Sequence, residues 1–233
     1  MKQYVVITAG GIGARISSDI AKQFLEIEGK PILLRTIEQF LSLSYDIELI
    51  IVLKSEQKEY WKKYCSDHEL FFKHTIVSGG MTRFHSVRNA LEYVPDGAIA
   101  IIHDGVRPFL PQSLLKRLFS TDFIGKGYDG LIPVLPAIES MRERSYDKEG
   151  NETGSLPVDR SRFLSVQTPQ IYDSTKLKKA YKQAYIPEFT DDASVMERMG
   201  YKIMTCEGSR LNIKITTPED LQICRLLLPL LKI

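Results

Sequence analysis

The segment YVVITAGGIGAR at residues 4–15 decides the fold of this chain. Its apolar first half predicts a buried β-strand that ends in small residues, namely Ala9, Gly10, Gly11 and Gly13. Where bulky side chains are missing, backbone N–H groups can approach a phosphate chain closely. Arg15 and Lys22 follow and supply positive charge. A plain strand-to-helix turn would also explain the glycines, but the two cations favour a nucleoside triphosphate site.

The spacing of these glycines does not fit two common phosphate-binding loops. A dinucleotide-binding fingerprint needs a third glycine or an alanine where this chain has Ile16. A Walker loop that ends at Gly29-Lys30 needs a glycine five residues earlier and Ser or Thr after the lysine, but Phe24 and Pro31 occupy those positions. The triphosphate site therefore belongs to another class of loop.

Composition is typical of one soluble domain of 233 residues, long enough to bury a sizeable core. The 31 basic and 29 acidic residues are interspersed and form no basic stripe, so we expect no nucleic-acid partner. The cysteines are odd in number and widely spaced, which predicts reduced thiols at Cys65, Cys206 and Cys224. No signal peptide precedes the first strand, and the leucine-rich end is too short to span a bilayer. We expect a cytoplasmic protein without a membrane partner.

Apolar strands alternate with helical segments along the chain, which predicts an α/β fold: a mostly parallel sheet with helices on both faces. Continuous apolar runs at 48–53 and 98–103 are typical of strands buried on both faces. Another strand is predicted at 130–134 and one more at 202–206. The predicted helices cover 31–41, 56–68, 83–93, 174–184, 192–199 and a last segment from Pro218.

The polar segment at 137–157 differs from its surroundings. It contains the turn signal DKEGN at 147–151, which predicts a two-stranded arm that projects from the domain. Because a lone hairpin is marginally stable, we expect the arm to pack on a second copy of the chain.

Two segments that precede or follow predicted strands and helices carry candidate chemistry. A second glycine turn at Gly80 comes before a helix whose first turn holds Arg83 and Ser86, which suits reading of a base edge; a capped helix is the alternative. The segment HDGVRP at 103–108 follows a buried strand, at the sheet edge where α/β proteins bind ligands. Asp104 there suits a divalent cation that bridges phosphates, and Arg107 would bind a phosphate or brace Asp104. We interpret His103 as a packed histidine.

Later segments add further candidates. Lys214 is predicted to lie on an apolar strand, where its charge is costly unless it meets an anion. Thr217 and Pro218 explain the start of the last helix as a cap. Two interpretations stay open for the acidic segment at 190–193: a role in the functional site, or a helix cap. The segments 158–161 and 167–170 bracket a short strand after the arm.

Together these stretches resemble the 2-C-methyl-D-erythritol 4-phosphate cytidylyltransferases. The matching motifs occur in the same order from residue 4 to the last helix: AGGIGAR at 9–15, KQFL at 22–25, GKP at 29–31, GG at 79–80, HDGVRP at 103–108, DRS at 159–161, QTPQ at 167–170, TDDAS at 190–194 and NIKIT at 212–216. The resemblance implies a Rossmann-like nucleotidyltransferase fold, with a single domain over 1–233 and a dimerisation arm at 137–157. It also implies a homodimer joined through hairpin arms. The implied reaction uses CTP, methylerythritol phosphate and Mg²⁺ on the non-mevalonate route to isoprenoids, and gives the CDP-alcohol and pyrophosphate.

By the same resemblance, Lys22 and Lys214 lie at the α-phosphate of CTP, Arg15 lies at the triphosphate, and magnesium bridges the phosphates near Asp104. The Arg160 and Ser140 of one chain would serve the site of the other. The remaining substrate-binding residues would be Ala9, Gly10, Gly11, Gly13, Gly80, Arg83, Ser86, Asp104, Arg107 and Thr168. This sequence departs from the family pattern twice: Gly10 replaces a more usual alanine, and Glu139-Ser140 replaces Asp-Thr.

Two alternatives stay open. The family that cytidylylates ribitol 5-phosphate shares the glycine loop, the HDGVRPF stretch and Thr-Pro-Gln, although TDDAS at 190–194 and DRS at 159–161 favour methylerythritol phosphate. A non-catalytic nucleotide-sensing protein on the same fold would be expected to lose one of the cations Arg15, Lys22 and Lys214 or the carboxylate of Asp104, and this chain keeps all four.

Overall fold

The computed structural model describes residues 1–11, 20–43 and 45–231. Within these residues the strands are β1 (Gln3–Thr8), β2 (Glu26–Ile27), β3 (Lys30–Pro31), β4 (Ile47–Leu53), β5 (His74–Ser78), β6 (Ile99–Asp104), β7 (Gly130–Pro136), β8 (Met141–Tyr146), β9 (Glu152–Val158), β10 (Leu164–Val166), β11 (Gln170–Asp173) and β12 (Ile203–Glu207). The α-helices are α1 (Ile32–Leu41), α2 (Lys58–Asp67), α3 (Arg83–Leu91), α4 (Gln112–Ser120), α5 (Ser174–Ala180), α6 (Asp192–Glu197) and α7 (Pro218–Leu231). Short 3-10 helices cover Lys22–Phe24, Ser55–Gln57 and Arg160–Arg162.

The central sheet has a parallel half and a mixed half. Its order is β10-β7-β11-β6-β1-β4-β5, and β12 pairs in parallel with β7. The four strands β6, β1, β4 and β5 are parallel, whereas β10 and β11 run antiparallel to their neighbours. From β1 the chain moves outward to β4 and β5, and then returns to the other side of β1 as β6. The strand order therefore reverses between β1 and β6, where open α/β sheets form a ligand crevice at the carboxyl ends of the strands.

Both faces of the parallel half are covered by helices. Val6 on β1 packs in a core with α3, α5 and α6, whereas Val5 and Ile7 pack in another with α1, α2 and α4. Because successive side chains of a strand point to opposite faces, burial on both sides requires the continuous apolar run seen in the sequence. The predicted α/β architecture is confirmed.

Two local predictions need correction. Helix α1 begins at Ile32, one residue later than predicted, since Pro31 pairs with Glu26 in a short antiparallel ladder. The segment around Lys214 is irregular and is not a strand. It is attached to the loop after β6 through Ile215, whose N–H donates to the carbonyl of Val106 at 2.9 Å. Burial of Ile215 anchors the segment without a sheet ladder.

Strands β8 and β9 form the predicted hairpin, which is a two-stranded sheet separate from the central one. Its turn is closed by Asp147, whose carboxylate accepts from the N–H groups of Glu149 and Asn151 at 3.0 and 2.8 Å. Most of its side chains are exposed. Among the described helices, none combines the length and apolar character that a membrane span requires.

Candidate functional site

Two cavities open side by side at the carboxyl edge of the sheet. The first, here called the glycine-loop cavity, lies between the end of β1, the 3-10 helix that begins at Lys22 and the turn before α3. The second, the Thr168 cavity, lies between residues 166–170 and the beginning of α6. Arg83, Asp104 and Lys214 line both cavities. These three residues form a charged partition between the two spaces.

The beginning of the glycine loop is held against the sheet. The N–H of Ala9 donates to the Val52 carbonyl at 2.8 Å, which continues the pairing of β1 with β4. Among the described atoms, a Cβ on Gly10 would meet Lys54 N at 3.9 Å, and one on Gly11 would meet Lys22 Cε at 3.9 Å. Packing against the described part of the chain therefore does not require glycine at either position, and there an alanine at position 10 would fit. Ala9, Gly10 and Gly11 line the glycine-loop cavity. Gly13 and Arg15 lie outside the described residues.

Lys22 reaches the glycine-loop cavity from a 3-10 helix that is anchored by its neighbours. Gln23 is buried, and its side-chain amide donates to Gln57 Oε1 at 2.8 Å. The ring of Phe24 lies 4.6 Å from that of Tyr60 and stacks at 6.3 Å on Trp61. The sequence-based interpretation missed Gln23; its position beside Lys22, in an otherwise apolar environment, was the available signal.

The second glycine turn is closed on itself. A Cβ on Gly80 would lie 2.4 Å from the Cβ of His85, so a larger residue would displace this helix start. Ser86 Oγ accepts from the Gly80 N–H at 3.1 Å and donates to the Thr82 carbonyl at 3.0 Å. Thr82 caps α3 by accepting from the His85 N–H. The capped-helix interpretation is correct, and Gly80 and Ser86 also line the glycine-loop cavity.

The guanidinium of Arg83, which lines the glycine-loop cavity, is bound to a carboxylate. Its Nη1 and Nη2 donate to the two carboxylate oxygens of Asp192 at 2.9 and 2.7 Å. Its Nε lies 3.7 Å from Asp104 Oδ1. The Asp192 side chain is 0% exposed, and a buried carboxylate requires a counter-charge of this kind. Burial alone would lower the pKa of Arg83, but Asp192 and Asp104 raise it well above its ordinary value.

Asp104 is the centre of the partition. Its Oδ2 accepts from Arg107 Nε at 3.0 Å and lies 3.1 Å from Lys214 Nζ. Arg107 also donates to the Asn212 carbonyl at 2.9 Å, which fixes its guanidinium. Of the two roles expected for Arg107, phosphate binding and bracing of Asp104, the structure shows the second. Burial alone would raise the pKa of Asp104, but Lys214, Arg83 and Arg107 together hold it below its ordinary value. The anion that compensates Lys214 is therefore this ionised carboxylate.

The described residues contain no group of three or more His, Cys, Asp or Glu side chains arranged around a metal position. Magnesium in phosphate-transfer sites is commonly bound by one or two carboxylates together with substrate phosphates. Asp104 offers one ionised carboxylate, and its Oδ1 is less closely held than its Oδ2. These residues fit a metal carried mainly by a phosphate substrate and do not fit a metal cage made by the protein.

Thr168 and His103 connect the partition to the sheet. The Thr168 hydroxyl accepts from the Asp104 N–H at 3.1 Å and lies 2.9 Å from His103 Nδ1, to which we assign it as donor. His103 Nε2 is then the donor to the Arg107 carbonyl at 3.2 Å. Burial lowers the pKa of His103 to about 3, so the ring is neutral. The interpretation of His103 as a packed residue is confirmed, and Thr168 lines its cavity with a hydroxyl that already has partners.

The acidic segment before α6 caps that helix. The Asp191 carboxylate accepts from the Ser194 N–H at 2.9 Å and from the side-chain amide of Gln170 at 2.9 Å. Glu197, at the edge of the same cavity, has a pKa raised by burial and by Asp191. The capping interpretation is correct for Asp191. Asp192 instead binds Arg83, a contact that capping of the helix does not require. Because one acid is enough for a cap, the second of these two consecutive acids was the sequence signal for another role.

Arg160 and Ser140 lie at the base of the hairpin, are exposed and are absent from the lining of both cavities of their own chain. Arg160 Nη1 donates to the Ile138 carbonyl. The Asp159 carboxylate accepts from the N–H and hydroxyl of Ser161 at 3.0 and 2.7 Å. In the described structure, Asp159 is thus bound to Ser161 and not to Arg160.

At the switch point of the sheet lie two glycine turns, Lys22 and two cavities that share the charged partition. This arrangement suits the meeting of a nucleotide with an acceptor. The chain is an α/β nucleotidyltransferase. The family model for IspD, 2-C-methyl-D-erythritol 4-phosphate cytidylyltransferase, matches residues 3–229. The chain belongs to this family.

Relatives of the same name are similar over nearly the whole chain. One from Bacteroides fragilis is 44% identical over 228 residues, which cover 98% of this chain and 100% of the relative. One from Clostridium beijerinckii is 34% identical over 218 residues, which cover 93% of each chain. The crystal structure of the cytidylyltransferase from Thermus thermophilus aligns with a TM-score of 0.74 at 25% identity and covers 100% of both chains.

Proposed function

We propose that this chain transfers the cytidylyl group of CTP to 2-C-methyl-D-erythritol 4-phosphate and releases pyrophosphate, a step in the synthesis of isoprenoid precursors by the non-mevalonate route. The observation that carries the proposal is the partition: Arg83, Asp104 and Lys214 belong to both cavities, so two phosphate-bearing ligands would meet there. The names of the relatives agree with this reaction.

CTP would occupy the glycine-loop cavity and the acceptor the Thr168 cavity. An oxygen of the acceptor phosphate then attacks the α-phosphorus of CTP in line, and pyrophosphate leaves on the opposite side. Negative charge increases on the α-phosphate oxygens in the transition state, so fixed cations lower the barrier more than they strengthen binding. Lys22 and Lys214 are the cations assigned to that phosphate, and Arg15 is assigned to the triphosphate.

Magnesium would accompany CTP, held by its phosphates and by Asp104. The charge it supplies when bound would offset the repulsion between the triphosphate and the incoming phosphate. Removal of divalent cations with a chelator is expected to abolish pyrophosphate release, and added Mg²⁺ is expected to restore it.

Pyrophosphate release from CTP with different acceptors tests the reaction. We expect release with methylerythritol phosphate and little release with ribitol 5-phosphate. The opposite preference would indicate a ribitol 5-phosphate cytidylyltransferase. If neither acceptor gives pyrophosphate release while the protein still binds CTP, a nucleotide-sensing protein is supported.

We also propose that two chains form a homodimer through their hairpin arms, with Arg160 and Ser140 completing the site of the partner. Both residues are exposed and lie away from the cavities of their own chain. A guanidinium grips a phosphate at two oxygens, which suits it to holding the acceptor phosphate in line. Ser140 keeps the hydroxyl of the more usual threonine.

Mixing two variants tests this arrangement. Arg160→Ala and Lys22→Ala are each expected to be nearly inactive as homodimers. If Arg160 acts across the interface, one site of the mixed dimer carries both substitutions and the other carries neither, so substantial activity returns on mixing. If Arg160 serves its own chain, every site keeps one substitution and mixing restores nothing.

A further inference from the structure

One buried carboxylate, that of Asp192, binds Arg83 and so holds the partition in place. Asp192 on α6 makes the two-oxygen contact to Arg83 at the start of α3, a link between segments 109 residues apart in the chain. The hydroxyl of Tyr181, itself buried, also donates to Asp192 Oδ1. Arg83 is thereby fixed in one orientation, with its Nε toward Asp104.

Asp192 is not required for the local structure of α6. The helix start is already satisfied by Asp191, which bonds both to Ser194 and to Gln170. Apolar replacement of a buried ion pair is often neutral or favourable for stability. A buried acid at position 192 therefore needs an explanation other than stability, and the explanation lies at Arg83.

The charges of the partition show what Asp192 does. Arg83, Arg107 and Lys214 surround the single carboxylate of Asp104. With Asp192 neutralised, the nearest other carboxylate to Arg83 is Asp104, 3.7 Å from Nε. Arg83 would then compete with Lys214 for Asp104, and Lys214 would lose its fixed position between the cavities.

We propose that Asp192 is a positioning residue for the transfer reaction: it binds Nη1 and Nη2 of Arg83, which limits the contact of Arg83 with Asp104 to Nε and leaves Asp104 Oδ2 to hold Lys214 where the two phosphates meet. The inference rests on the proposed function. It predicts an effect on turnover that is larger than the effect on nucleotide binding, because misplacement of a reacting group weakens the transition state more than the ground state.

The test compares Asp192→Asn with Asp129→Asn. Asp129 forms a matched ion pair with Lys176 at 2.6 Å, and neither residue lines either cavity. For Asp192→Asn we expect kcat to fall by about 10- to 100-fold, with the KM for CTP and its equilibrium Kd within about threefold of the parent. For Asp129→Asn we expect a lowered Tm and a kcat near that of the parent.

Unchanged kcat in Asp192→Asn would overturn the inference. So would a raised KM for CTP at normal kcat, or a loss of activity no larger than the loss of folded protein. If Asp192→Asn does not fold, Arg83→Lys is measured in its place; it keeps the charge but cannot make the two-oxygen contact, and the same fall in kcat is expected. If the parent enzyme does not transfer the cytidylyl group, the proposed function itself is contradicted. If the parent is active and the variants have the same kcat as the parent, only the positioning role is contradicted.

Discussion

Replacement of Lys214 by alanine is expected to separate turnover from stability. Its ammonium lies 3.1 Å from Asp104, but its side chain is 41% exposed. An ion pair with one partner so exposed contributes about 0–1 kcal/mol to the free energy of unfolding. Asp104 also keeps Arg107 at 3.0 Å, so its charge stays compensated in the variant. A loss of about 1 kcal/mol lowers the Tm of a chain of this length by about 2–4 °C.

The effect on the reaction is expected to be larger. Loss of one preorganised donor at a site of developing charge lowers kcat by about 10²- to 10³-fold, which corresponds to about 2.7–4 kcal/mol. CTP binding is expected to change much less, since Lys22 and the glycine loop remain. The variant would thus be a folded enzyme that binds nucleotide and turns over slowly.

Lys176→Ala is a matched control for this experiment. Its pair with Asp129 is 2.6 Å long, and its side chain is 44% exposed, close to the value for Lys214. Initial rates of pyrophosphate release, CTP affinity by calorimetry and Tm are measured for both variants. Near-normal turnover in Lys214→Ala, or equal losses of kcat in the two variants, would refute the assignment of Lys214 to the α-phosphate.

Three further predictions concern supporting residues. Gln57→Ala removes the partner of Gln23 and is expected to lower kcat by about tenfold with little change in Tm, as misplacement of a catalytic group does elsewhere. The parent is expected to prefer CTP to UTP in kcat/KM by about 10- to 100-fold, from a buried donor–acceptor mismatch of about 1–3 kcal/mol, and Gly80→Ala, which clashes with His85, is expected to reduce that ratio. Burial lowers the pKa of His103 to about 3 in the folded protein, so below about pH 6.5 the unfolded chain binds more protons than the folded one and the free energy of unfolding falls. Denaturant titration measures this effect. Between pH 7 and pH 5 the parent is expected to lose about 2 kcal/mol more of its free energy of unfolding than His103→Gln loses.

The sequence could predict the elements whose signals are local. Strand β1 was predictable because burial on both faces demands an uninterrupted apolar run, and the hairpin because its turn and polarity occur together. The segment at Lys214 misled the prediction because isoleucines at 213 and 215 give a strand-like alternation. Whether such a segment pairs depends on a neighbouring strand edge, and here the loop after β6 accepts a backbone bond at Val106 instead of a ladder.

Long-range pairings within the site were not predictable. The sequence identified Arg83 as a site residue, but nothing local indicates which acid would meet its guanidinium, and the partner lies 109 residues away. The same holds for Gln23 and Gln57, which are 34 residues apart. Both contacts depend on how β-strands from different parts of the chain lie side by side. Chemistry-bearing residues were therefore recognisable by type, whereas their orientation required the fold.

The exposures of the side chains in the partition indicate which cation is best placed to contact the substrates. The Arg107 side chain is 10% exposed and that of Arg83 is 30% exposed, and each is bound to a second group besides Asp104. Lys214 is 41% exposed and lines both cavities. Two phosphates entering from opposite sides would attract the cation that is least constrained. We therefore expect Lys214 to contact them from its place beside Asp104, while the two arginines stay on their carbonyl and carboxylate partners. Asp104 thus holds Lys214 in position before the reaction, and the cost of orienting the charge falls on folding and not on the transition state.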